Sequence, residues 1–133
     1  MDGRQQEIKT RIEAVLAARN RRDWDEVFAE LEPDAEWEPI AEAVVYRGRE
    51  AITAYFARWD EAWEEFEIDA ERIDVSQDGD LVLLAARYRG RGKGSAVDVD
   101  GSFYTVWELR DGRVSRCSEY AQESEAQAHF DRR

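Results

Sequence analysis

The hydrophobic period of this chain changes once, near Phe66, and that change limits the folds open to it. Before Phe66, apolar residues recur at three- and four-residue spacings, as on helix faces. After it they alternate, as in strands whose successive side chains point to opposite faces. Ile8, Ile12, Val15 and Leu16 define one face of a first helix, which the cluster Arg19-Asn20-Arg21-Arg22 ends. Asp23 and Glu26 stand in capping-box relation at the start of a second, short helix. Trp24, Val27, Phe28 and Leu31 form its apolar stripe, and Pro33 is expected to stop it. Residues 35–38 read as a short strand with Trp37 and Glu38 on opposite faces. A third helix is expected over about 49–65, where Ile52, Tyr55, Phe56, Trp59 and Trp63 make the most pronounced apolar stripe in the chain.

The strands follow. Phe66, Ile68, Ile73 and Val75 lead to the hairpin signal Asp78-Gly79. Residues 81–88 form the second long strand, and Gly90 to Ser95 reads as a flexible, basic connection. A third strand covers 97–109, with Gly101 marking a bulge. Asp111-Gly112 turns the chain into a fourth strand, 114–121. Ser124 and Gln127 predict a capping box before a short terminal helix. Helices, then hairpin-linked strands, then a tail helix describe an α+β domain, and no repeat or linker divides residues 1–133.

The run Leu81 to Ala86 is apolar on both faces, whereas a half-solvated antiparallel strand alternates. Phe103 to Leu109 shows the same habit. If helices cover only one face of the sheet, the outer face needs another cover. An identical subunit is the expected one, so a homodimer is predicted through that face.

Charge excludes several classes of partner. With 31 acidic and 19 basic residues the formal net charge is −12, which repels phosphate backbones and anionic lipid, so neither nucleic acid nor a membrane surface is expected. No run approaches the ~20 apolar residues of a membrane span. The polar start lacks a signal-peptide core, and Cys117 is the single cysteine, so a cytoplasmic location is expected. With one Cys and one His, a metal site would have to be all carboxylate, and the scattered Asp and Glu read as solvated helix faces. No metal or cofactor is expected. His129, in the tail helix, offers no catalytic arrangement, and Cys117 reads as a buried, inert thiol.

The order and spacing of several segments resemble the SnoaL-like branch of the nuclear-transport-factor-2-like superfamily. They are Asp23-Trp24-Asp25-Glu26-Val27-Phe28, Pro33 to Pro39, Tyr46 to Ile52, the helix ending at Trp59, Phe103 to Trp107, Asp111 to Val114, and Tyr120. The likeness covers nearly the whole chain. It implies a cone-shaped fold shared with ketosteroid isomerases, in which N-terminal helices pack on the concave face of a curved, mixed but mostly antiparallel sheet. Members of the superfamily include polyketide cyclases, isomerases, epoxide hydrolases and dehydratases, so the fold does not choose a reaction. An isomerase of this kind uses a first-helix tyrosine, a carboxylate base on the short first strand and an acid on the third long strand. The matching positions here are Val15, Glu38 and Thr105, so the oxyanion tyrosine is missing. An Asp two residues after the last-strand tyrosine, common in relatives, is Gln122 here.

With Thr105 and Trp107 facing the helices, the resemblance sets Leu83, Ala85 and Arg87 beside them, and Cys117 and Glu119 on the last strand. Trp37, Tyr55, Trp59, Leu83, Thr105, Trp107 and Cys117 are then candidate ligand contacts. Glu119 and Glu38 are candidate proton-transfer groups and Arg87 a charge stabiliser. A carboxylate desolvated in such a cavity has its pKa raised toward neutrality. Alternatively, Arg87 and Glu119 pair with each other, or both lie in solvent at the rim. Two functions follow: a cofactor-independent acid-base enzyme of cyclase or isomerase type acting on a small hydrophobic carbonyl compound, or a non-catalytic ligand-binding or dimeric accessory module.

Overall fold

The structure, a computed structural model, describes residues 2–40, 42–94 and 97–132. Helix α1 (Gly3–Asn20) is opened by a complete capping box: the Asp2 carboxylate accepts from the Gln5 amide at 2.8 Å, and the Gln5 side chain accepts from the Asp2 amide at 3.0 Å. Its buried face carries Ile8, Ile12, Val15 and Leu16. Helix α2 spans Trp24–Ala29, and Asp23 caps it through the Glu26 amide. The Glu26 carboxylate turns to Arg21 instead of completing the box.

Two helix ends differ from expectation. Leu31 does not belong to α2 but starts strand β1 (Leu31–Glu38), and Pro33 lies within that strand. It sits where the ladder between Leu31 and Glu36 is irregular, so its missing N–H removes no regular ladder bond. After β2 (Tyr46–Arg47), helix α3 covers Arg49–Glu61 and ends at Ala62, so Trp63 opens strand β3 (Trp63–Val75) rather than extending the helical stripe. Strand β4 (Leu81–Gly92) runs through Gly90, which sequence reading gave to a flexible connection. The end of that connection, Ser95, lies outside the described residues.

Strands β5 (Asp98–Arg110) and β6 (Arg113–Tyr120) complete a six-stranded sheet in the order β2-β1-β6-β5-β4-β3. Only the β1–β6 pairing is parallel. The mixed, mostly antiparallel sheet is thus as expected. Gly101 does not mark a bulge, because the β4–β5 ladder passes through Tyr88 opposite Gly101 without a shift. Its role is steric. A Cβ there would lie 2.6 Å from the Tyr88 hydroxyl, so glycine lets the tyrosine lie across the neighbouring strand.

Helices α1, α2 and α3 enclose the concave face, where Ile12, Ile52, Val82, Leu84 and Ala86 join one core. Ile52 is fully buried, and such burial stabilises by about 1.5–3 kcal/mol. The premise that helices cover one face only is overturned. Helix α4 (Glu123–Phe130) packs on the convex face, where Ala126 and Phe130 meet Leu81, Leu83 and Val106. It starts two residues earlier than expected, after Gln122 rather than Ser124, and has no side-chain cap. The buried apolar cluster of the outer face is therefore covered within the chain, while Tyr104 beside it stays half-buried. The rest of that face carries exposed charge pairs, Arg87 with Asp100, Arg89 with Glu67 and Arg91 with Asp98.

Candidate functional site

A cavity of about 480 Å³ lies between the helices and the concave face of the sheet. Helix α1 contributes Val15, Leu16 and Arg19 to its wall, and α3 contributes Tyr55, Phe56 and Trp59. The sheet contributes Trp37, Leu84, Tyr88, Phe103, Thr105, Trp107 and Glu119. A wall of aromatic rings with few polar groups is typical of small-molecule sites. The rings brace one another: Trp37 meets Phe56 and Trp107 edge-on at 4.9 and 5.7 Å between centroids, geometries that favour aromatic pairs.

Glu119 is the carboxylate of this cavity. β6 alternation and its register opposite Thr105 aim it inward. Its Oε2 accepts from Trp37 Nε1 at 2.7 Å and its Oε1 from the Ile40 amide at 3.1 Å. Burial pushes the carboxyl above its ordinary value of 4.5, the two N–H donors oppose that rise, and Glu42 adds to it. No cation among the described residues pairs with it. Thr105 is buried, and its hydroxyl oxygen accepts from Trp107 Nε1 at 2.7 Å. The Tyr55 phenol is held well above its ordinary range, first by burial and then by the charge of Glu119, so it remains an O–H donor.

Six of the ten sequence-derived candidates line the cavity: Glu119, Trp37, Tyr55, Trp59, Thr105 and Trp107. Cys117 is buried in the concave core without lining the cavity, and burial raises its thiol far above the range of a nucleophile. The other three are corrected. Leu83 lies in the convex cluster under α4. Arg87 is opposite Ser102, half-exposed, and pairs with Asp100 at 3.4 Å rather than with Glu119. Glu38 also faces outward, 3.3 Å from Arg116. The cause for β4 is a one-residue error of parity: Leu84, not Leu83, stands opposite Thr105, and such a slip turns every side chain over.

Sequence reading missed Leu84, Tyr88 and Arg19 as wall residues. Arg19 had a legible signal. It lies four residues after Val15 and three after Leu16, so it continues the apolar face of α1. A charge on such a stripe is either an end-of-helix residue or a built-in polar group. Nothing comparable marked Tyr88, which shares its strand with the charged residues Arg87 and Arg89.

The comparisons with known proteins agree with this architecture. No curated protein matches the sequence. Among solved structures, a candidate polyketide cyclase from Xanthomonas campestris pv. campestris superposes with a TM-score of 0.78 at 20% identity, over 95% of this chain and 98% of that one. A hypothetical protein with a ketosteroid isomerase-like fold from Catenulispora acidiphila gives 0.75 at 22% identity, over 89% of each chain. The epoxide hydrolase/cyclase-like enzyme SalBIII, which has a role in pyran ring formation in the polyether salinomycin, gives 0.76 at 21% identity, over 90% of this chain and 93% of that one. These likenesses establish the fold. The sequence profile of the SnoaL-like domain matches residues 12–117, and the chain belongs to that family.

Proposed function

We propose that the cavity binds a small, largely apolar carbonyl compound and that Glu119 moves a proton within it, as in a cyclase or isomerase. The observation that carries this is a buried carboxylate held only by neutral N–H donors, with its proton affinity raised by burial. A base so tuned takes a proton from the carbon next to a carbonyl. The C–H electron pair passes into the carbonyl, leaving negative charge on its oxygen. Tyr55, kept protonated beside Glu119, is the donor for that oxygen, in place of the first-helix tyrosine that this chain lacks. Thr105 is a second hydroxyl in the same wall. The enolate carbon is then reprotonated by Glu119 or attacks a second carbonyl, and no cofactor is required.

The test is exchange of the α-hydrogens of β-tetralone in heavy water, followed by NMR. Wild-type protein is expected to accelerate exchange over buffer, and Glu119→Gln to reduce it by about a hundredfold or more. Tyr55→Phe is expected to fall between them. One observation favours a second reading, a non-catalytic binding module: both Glu119 oxygens already hold N–H donors. Binding of β-tetralone without accelerated exchange would establish that reading.

Two further features belong to the proposal. A cytoplasmic setting rests on the single cysteine, Cys117, which is free and buried. Among the described residues, no helix is long and apolar enough to cross a membrane. A homodimer through the outer face now rests on the half-buried Tyr104 beside α4. A monomeric mass in light scattering at micromolar concentration would overturn it.

A further inference from the structure

Two residues that line the cavity take no part in this proton transfer, and each carries a buried polar atom with no hydrogen-bond partner. Nη1 of Arg19 and Nε1 of Trp63 are buried without a hydrogen bond, and both residues line the cavity. Leaving a buried donor unpaired is costly, so two on residues of one cavity call for a physical reason.

Both belong to one corner. The Arg19 guanidinium lies over the rings of Phe66 at 4.9 Å and Trp24 at 5.5 Å. The ring of Trp63 is 5.1 Å from that of Phe66. Trp63 also rests on the backbone of Gly90, where a Cβ would come within 2.9 Å of its ring. The side chain of Arg19 is only 7% exposed. Its Nη2 reaches Asp60 at 3.5 Å, but Asp60 is also engaged by Arg22. Two guanidinium groups thus share Asp60, and Nη1 of Arg19 is left as an unpaired cationic donor among apolar rings. Such a charge is strongly felt where water is excluded.

This corner is remote from Glu119. Trp63 and Phe66 are on β3 and Glu119 is on β6, with β4 and β5 between them. At ~4.8 Å per strand the separation along the sheet is roughly 14 Å. An anionic group entering the cavity is repelled at the Glu119 end and attracted at the Arg19 end, so the two ends orient a ligand.

We propose that Arg19 and Trp63 form a subsite for an acidic oxygen, a carboxylate or phenolate, of an extended apolar ligand whose carbonyl end lies at Glu119. The substrate class this defines is an extended, apolar carbonyl compound that carries a second, acidic oxygen at its far end. It rests on the cavity being a ligand site, but not on Glu119 being catalytic.

Calorimetric titration with naphthoate and its neutral analogue naphthamide tests it. Wild-type protein is expected to bind naphthoate at least tenfold more tightly. Arg19→Met should abolish that preference, the ratio of the two affinities falling to about one, and Asp60 keeps Arg22 as its partner in this variant. Trp63→Phe should weaken naphthoate several-fold, and it decides the matter if Arg19→Met does not fold. Glu119→Gln should keep the preference, whatever it does to proton exchange. Equal affinities in wild type, a preference that survives Arg19→Met, or naphthoate binding unchanged in Trp63→Phe would overturn the subsite. Failure of both compounds to bind wild type would instead remove the ligand-site reading beneath it.

Discussion

On the convex face of the sheet, Arg116 has three carboxylates within reach, Glu36 at 2.6 Å, Glu38 at 3.3 Å and Glu108 at 3.9 Å, all partly in solvent. On the concave face, Glu119 is enclosed by rings and meets only the N–H groups of Trp37 and Ile40. The same residue type thus has two different chemistries on two sides of one sheet. Outside, charge meets opposite charge in solvent and is screened, and each such contact stabilises by only about 0–1 kcal/mol. Inside, a charge without a counterion has its protonation set by its surroundings. The apolar surfaces differ too. Leu83 is sealed under α4, whereas Leu84, one residue away, borders an open cavity.

The contrast breaks most readily through the two glutamates. Glu119→Gln is expected to lower β-tetralone exchange by about a hundredfold or more, while Glu38→Gln changes it less than about twofold. Comparable losses in both would erase the distinction between the faces. A second comparison uses the adjacent leucines in urea unfolding. Leu83→Ala should cost about 4 kcal/mol, near the upper part of the range for tightly packed leucines, and Leu84→Ala about 2 kcal/mol, because its side chain already borders a void. Only the Leu84 variant should alter ligand affinity.

Gly101→Ala sharpens the concave side alone. The new Cβ displaces the Tyr88 ring, so a loss of about 1–3 kcal/mol is expected, together with weaker ligand binding. An alanine variant with wild-type stability and affinity would show that Tyr88 does not shape the cavity. The smallest effect is the pH dependence of Glu119. Its folded pKa lies above the ordinary value of 4.5, so in that window the folded state binds more protons than the unfolded chain. Stability is therefore lost as pH rises from about the unfolded value through the folded one. The difference in melting temperature between wild type and Glu119→Gln should move in favour of the variant as pH rises from about 4 to 7. A difference that does not change with pH would mean that the carboxyl is not desolvated.

Much of the fold was legible because local physics determines it. The stripe of α1, the turn at Asp78-Gly79 and the alternation of β5 and β6 each depend on near neighbours in the chain. Glu119, Thr105 and Trp107 followed from that alternation together with the family resemblance, which said which face of the strands meets the helices. The β4 assignments failed for a specific reason. Leu81 to Ala86 is apolar at every position, so the period of two that reveals a strand's inner face is silent there. Glu38 failed differently, since alternation put Trp37 and Glu38 on opposite faces without saying which faced the helices. Trp63 kept the three- and four-residue spacing of α3 yet opens β3, because spacing cannot show where a helix stops.

By itself, the sequence determined that helices precede hairpin-linked strands and that an acidic, aromatic-rich chain closes them around an apolar interior. The order of elements and the composition of each face are enough for that. Only the tertiary structure decided which carboxylate is alone in the cavity, that α4 covers the outer face, and that Arg19 and Trp63 both pack on Phe66 at the end far from Glu119. Those facts depend on register between distant strands and on a parallel β1–β6 pairing. A shift of one residue in either leaves every local propensity unchanged and exchanges the interior for the surface.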